Sequence, residues 1–104
     1  MSGQTWEYPR GFDADVMGQA KDLADLLIRK HGDYGPDNIA RAPGGALNGV
    51  VVRLHDKMSR LAHLSETGKA PNNESIRDTY MDMANYALIG LMILDGQWPG
   101  VPDE

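Results

Sequence analysis

Glu74, Asp78 and Asp82 are spaced four residues apart, and Asn85 follows three residues later. On a helix turning about 100° per residue, all four side chains fall within roughly 80° of one another. A stripe of oxygen donors suits a divalent cation. Like charges at i, i+4 each cost a helix about 0.2–0.5 kcal/mol, and a bound cation would reverse that penalty. Glu74 would sit in the first turn, where the helix dipole alone favours an acid. Asp78 is equally accounted for by solvation or by pairing with an outside base. Asp82 weighs most, because it lies beyond the dipole's reach and borders an apolar segment, where an unpartnered acid is costly. A salt bridge to Arg53 or Arg60 is the ordinary alternative there.

A second group lies upstream. Asp56, Arg60 and His63 share one flank of a helical pattern that also carries Arg53 and Lys57. This reads either as a solvated face with an Asp56–Arg60 pair, or as a site in which Asp56 joins the later acids around a cation. In the second case Lys57 and Arg60 meet phosphate oxygens. A third group, Lys30, His31, Asp33, Tyr34, Gly35 and Asn38, crowds polar side chains beside turn formers. Tyr34 there either stacks on a base or covers the core. The spacing of His31 and His55 does not suggest a zinc site, and both read as surface residues.

Three helices must position these groups. The first spans about Ala14 to Lys30, with Asp13 as its cap, Gly32 just past its end, and Val16, Ala20, Leu23 and Leu27 as its apolar stripe. A breaker-rich loop follows from Gly32 to Gly45. The second helix spans about Leu47 to Ser65, with Leu47, Val51, Leu54, Met58, Leu61 and Leu64 inward and Gly68 as a possible stop. The third spans about Glu74 to Leu94, with Pro71 before it, Asn73 as its cap, and Ile76, Tyr80, Met83, Ala87, Leu91 and Leu94 as its core stripe. Beyond Tyr86, Leu88, Ile89, Met92 and Ile93 make that helix apolar all round, and such a helix is buried all round. Two other helices of this length do not cover it, so a second copy of the chain is expected to. Residues 1–12 and 95–104, rich in aromatics, Pro and Gly, read as arms.

The chain has 104 residues and one domain is expected, residues 1–104. It is all-α: three main helices packed as a bundle and completed by homo-oligomerisation. It has no Cys, so neither disulfides nor thiolate metal sites arise. A net charge of −5, from 15 acidic and 10 basic residues, argues against a nucleic-acid partner. The first ten residues carry no signal-peptide core. The longest strongly apolar run, Ala87 to Leu94, is far below the roughly 20 residues that span a bilayer. No membrane partner is expected, and the location expected is the cytoplasm (the host's, for a phage-encoded chain).

The segments Lys30-His31-Gly32-Asp33-Tyr34-Gly35, Asp56-Lys57-Met58-Ser59-Arg60-Leu61 and 74–87 together resemble the phage and prophage family called nucleotide modification associated domain 1. The likeness covers about Ala14 to Trp98. More remotely, the family is similar to the MazG-like all-α nucleoside triphosphate pyrophosphohydrolases, helical dimers or tetramers in which acids of adjacent helices bind magnesium. The resemblance implies Mg²⁺ (or Mn²⁺) held by Asp56, Asp78 and Asp82 with Glu74 as a further ligand, and a water positioned by Asp56 or Asp82. It implies phosphate contacts at Lys57 and Arg60. Tyr34 and Asn38 would lie near the base or sugar, with Lys30 beside them, and Asn85 on the ligand or a carboxylate. The MazG-like E-E-x-x-E run is here Leu54-His55-Asp56-Lys57-Met58-Ser59, with a single acid. The expected function is therefore a Mg²⁺-dependent (deoxy)nucleoside triphosphate pyrophosphohydrolase, and the expected assembly a homodimer or homotetramer. The alternative is a non-catalytic nucleotide-binding module of a nucleotide-modification or anti-defence system. A structural interaction domain with solvated acids is the third reading.

Overall fold

The computed structural model describes residues 11–67 and 76–102. Four helices form within them, with no strand: α1 (Phe12–Tyr34), α2 (Asp37–Ala40), α3 (Ala46–Thr67) and α4 (Ile76–Leu94). The all-α expectation holds. The expected arm over residues 1–12, apart from its last two residues, lies outside the described residues. So do Pro71, Asn73, Glu74 and the Gly68 stop.

The first helix is longer than the sequence suggests. Gly11 stands before it at φ 88°, and Asp13 falls inside the first turn with Asp15 instead of capping it, where the dipole favours both acids. Gly32 is carried through as helix, and Gly35 makes the stop: its φ is 72° and its N–H donates to the His31 carbonyl at 2.8 Å. The expected open loop after it contains α2, whose Ile39 and Ala40 are buried.

Val50 lies against Gly90 and Lys57 pairs with Asp82, later on α3 and earlier on α4, so the two helices run antiparallel. They make the main helix interface, with α2 on α3 and α1 on α4. The core is small: Ile39, Ala40, Val50, Ile89 and Trp98, flanked by Leu27, Leu54, Tyr86, Met92, Ile93 and Val101. Residues 95–102 therefore do not form an arm. Gln97 N–H turns back to the Met92 carbonyl at 2.7 Å, Trp98 is buried, and its Nε1 donates to the Pro36 carbonyl at 3.2 Å.

Two of the expected core stripes face outward in part, with Leu54, Leu61 and Leu64 of α3 and Met83 of α4 half-buried. On α3, Leu47, Val51 and Met58 are exposed, whereas Ala46, Gly49 and Val50 are buried and Leu54, Lys57, Leu61 and Leu64 half-buried. The small residues decide this. A Cβ on Gly49 would lie 2.5 Å from that of Ala42, so this side of α3 is where the chain before it packs closely. On α4, Ile76, Tyr80, Ala87, Leu91 and Leu94 are exposed, while Thr79 (1 % exposed) and Asn85 (6 %) are buried. The polar edge packs inward because partners on α1 meet it. In an antiparallel pair, equal rotation away from the contact line leads to the same side of the pair. The two outward stripes thus form one apolar face, opposite the side that α1 covers.

Candidate functional site

A cleft of about 340 Å³ opens between α1, α2, α4 and the returning segment after α4, within the range of small-molecule sites. Leu27, Lys30, His31 and Tyr34 line it from α1, Gly35, Asn38 and Ile39 from the turn and α2, and Lys57 from α3. Asp82, Asn85, Tyr86 and Ile89 come from α4, and Trp98 from the returning segment. Helical spacing explains the set. Leu27, His31 and Tyr34 recur at four and three residues on α1, and Asp82, Asn85, Tyr86 and Ile89 do the same on α4.

Charge concentrates at one end. Asp82 Oδ1 accepts from Lys30 Nζ at 3.1 Å, and Asp82 Oδ2 pairs with Lys57 Nζ at 3.0 Å. The Asp82 side chain is 19 % exposed. Burial pushes its carboxyl pKa up, but hydrogen bonds and charge from Lys57 and Lys30 outweigh this and hold it below the ordinary 3.8. Of the Lys, Arg, Asp and Glu residues that line the cleft, two are lysines and one is an aspartate. Each ammonium carries three N–H donors, and Lys30 and Lys57 each spend one on Asp82.

The other end is aromatic and apolar. His31 meets Trp98 edge-on, ring centres 5.0 Å apart. Tyr34, 74 % exposed, stands at the rim and does not cover the core. Asn85 Nδ2 donates to the Leu23 carbonyl of α1 at 3.1 Å.

The cleft thus brings together Lys30, Tyr34, Asn38, Lys57, Asp82 and Asn85 from the expected residues. Two others lie beside it: Asp56, exposed, and Arg60 share a neighbouring hollow with Arg53, Lys57 and Tyr86. Asp78 and Asp82 share a further hollow with Leu26, Lys30 and Met81. Glu74 lies outside the described residues. Asp82 pairs with lysines and not with the arginines expected of it; Arg53 donates instead to the carbonyls of Gly49 and Asn38, at 3.4 and 3.3 Å. His31 is half-buried in the cleft, not a surface residue. The spacing Leu23, Leu27, His31 on the apolar stripe of α1 is the signal that points to it. Trp98 had no periodic signal, because it lies beyond the last helix.

Among the described residues, no three His, Cys, Asp or Glu side chains gather to hold a metal ion. Asp82 is held by two lysines and Asp56 opens on a different hollow. The donor set of one copy, so far as it is described, does not fit the expected magnesium cluster.

Comparison with known proteins agrees with the motifs. The family model described as nucleotide modification associated domain 1 matches residues 30–94, which contain all the cleft residues except Leu27 and Trp98. No curated protein and no solved structure matches the chain.

Proposed function

The chain belongs to the nucleotide modification associated domain 1 family, and we propose that it binds a nucleotide in the cleft between α1 and α4. The observation that carries this is the meeting of Lys30 and Lys57 on Asp82 in a cleft that His31, Tyr34, Tyr86 and Trp98 also line. Phosphate oxygens belong at the lysines, where ammonium groups act as point charges. A base belongs against Tyr34, Tyr86 and the His31–Trp98 pair, whose ring faces and edges suit a planar heterocycle. The acidic balance of the chain turns away polyanions such as duplex DNA, while the two lysines of the cleft suit one small anion. No helix among the described residues is long and apolar enough to cross a membrane.

Equilibrium titration with the eight common nucleoside and deoxynucleoside triphosphates, with and without Mg²⁺, tests the reading. At least one should bind, and Lys57→Ala should weaken it by about tenfold or more, the scale of one charge-assisted hydrogen bond. If none of the eight binds at millimolar concentration, the reading fails.

Hydrolysis of the bound triphosphate to a monophosphate and pyrophosphate is the second reading. Asp78 and Asp82, which share a hollow beside Lys30, favour it. Mg²⁺ or Mn²⁺ would supply charge neutralisation at the phosphates. Because the described residues of one copy do not gather Asp56, Asp78 and Asp82, this reading requires acids from a second copy or from Glu74. Pyrophosphate released on incubation with the nucleotide that binds, and abolished in Asp82→Asn, supports hydrolysis. Binding without release leaves the non-catalytic module. A homo-oligomer is proposed on the apolar face of α3 and α4.

A further inference from the structure

Two side-chain atoms within the cleft residues are shut off from solvent with no hydrogen-bond partner: Asn85 Oδ1 and His31 Nδ1. Native interiors leave few buried polar atoms unpaired, and such atoms call for a reason. For Asn85 the surroundings narrow that reason. The residue is 94 % buried, lines the cleft from α4, and has its amide orientation set chemically. Only the amide nitrogen can donate to the Leu23 carbonyl, which it does at 3.1 Å. The oxygen is therefore the polar atom that this cleft-lining residue leaves without a partner.

That oxygen accepts and never donates. It is matched by an N–H or an O–H and by nothing else. Its neighbours along the cleft are Leu27, Tyr86 and Ile89, a setting for the edge of a flat ring more than for a strongly hydrated sugar or phosphate. Asp82, one helical turn before it, already marks the charged end. We propose that Asn85 is the base-reading residue of the cleft: its Oδ1 accepts an N–H from the hydrogen-bonding edge of the bound nucleobase. His31 Nδ1, on α1 with its ring against Trp98, is the second buried polar atom without a partner among the cleft residues. This inference deepens the nucleotide-binding reading and rests on it. Its physical consequence is asymmetric. A site built around a buried acceptor tolerates changes elsewhere on the ligand, but it strongly rejects the analogue whose donor is missing, since the acceptor is then buried unpaired.

The first comparison uses the full wild-type chain, and a variant enters only afterwards. The nucleotide that binds most tightly among the eight is compared by calorimetry with two analogues. One has its base-edge N–H groups deleted or methylated (the 6-unsubstituted purine for adenine, the 4-unsubstituted pyrimidinone for cytosine, the N3-methyl base for uracil or thymine, and the N1-methyl base without its 2-amino group for guanine). The other keeps the base and carries a 2′,3′-dideoxy sugar. The base analogue is expected to bind at least about tenfold more weakly, and the dideoxy nucleotide within about threefold of the parent. Asn85→Leu should abolish the preference, bringing parent and base analogue to the same affinity. The proposal is overturned by equal binding of parent and base analogue, by a preference that survives in Asn85→Leu, or by a loss confined to the dideoxy sugar, which would assign the acceptor to a hydroxyl. Failure of every natural nucleotide to bind overturns the nucleotide-binding reading itself, and is thereby distinguishable.

Discussion

Asp82 shows how a single residue can serve stability and ligand capture at once. Its two oxygens are divided between lysines from different helices, so it ties α1 to α3 through α4. Its pKa is depressed, with burial raising it and the Lys57 and Lys30 interactions prevailing. A depressed carboxyl contributes stability that is fully present above its ordinary value, 3.8, and is lost as the pH falls through the lowered one. Asp82→Asn should therefore lower the unfolding free energy at pH 7 by about 1–3 kcal/mol, the worth of a hydrogen bond to a charged group. The gap between parent and variant should close as the pH is taken below about 4. Urea unfolding followed by circular dichroism between pH 3 and 7 measures this. A gap that stays constant across that range would show that the ion pairs do not set the acid limb of stability.

Among the elements, α3 is placed by absence of side chain as much as by burial of one. Gly49 has a helical backbone, so its value is not conformational freedom; it is the room it leaves for Ala42. Gly49→Ala should gain about 1 kcal/mol in helix propensity yet lose more to overpacking, about 1–3 kcal/mol, for a net loss in chemical unfolding. Ala42→Gly combined with it should recover most of that loss, because the clash is between the two methyl groups. This contact also explains why helix orientation was not readable from the sequence. The existence, order and approximate ends of α1, α3 and α4 followed from apolar periodicity and Gly and Pro breakers. Their inward faces did not. Val50, Val51 and Val52 offer an apolar residue on three sides of α3, so counting apolar residues could not choose among them. On α4 the most apolar stripe faces outward, and the stripe of Thr79, Asp82 and Asn85 faces inward, since α1 supplies Lys30 and the Leu23 carbonyl to meet it. The candidate site was therefore more legible than the packing. Lys30, Tyr34, Asn38, Lys57, Asp82 and Asn85 stood out as polar types in motif positions, and all six line one cleft. His31 continues the Leu23 and Leu27 spacing of α1, whereas Trp98, which packs against it, depends on a chain reversal after α4 that no local pattern announces.

At the scale of the whole molecule, one copy of the chain is a thin object. Its extents are 46 × 43 × 24 Å and its radius of gyration is 16.6 Å, against about 13 Å for a compact domain of 100 residues. Helix α1 has no buried residue, and its first half, through Asp22, is exposed throughout. Leu47, Val51 and Met58 of α3 and Ile76, Tyr80, Leu91 and Leu94 of α4 are exposed apolar residues, with Tyr80 at 61 % and Leu91 at 59 %. Monomers rarely expose more than about 300–600 Å² of contiguous apolar surface, and stable pairs bury about 800 Å² per partner. Two antiparallel helices presenting one apolar side are self-complementary under a twofold rotation, the commonest symmetry of homo-oligomers, and their union yields a four-helix core. Light scattering at micromolar concentration should give a mass of at least two chains. Replacing Tyr80 and Leu91 together with Glu should reduce it to one, and the melting temperature of the parent should rise with protein concentration while that of the variant does not. A parent that remains a single chain, with a melting temperature independent of concentration, would mean that this face is covered by something other than a second copy. The cleft lies on the opposite side of the α3–α4 pair, so the same variant should still bind its nucleotide if one copy holds the whole site. It should lose turnover and keep binding if hydrolysis depends on acids that only a second copy supplies.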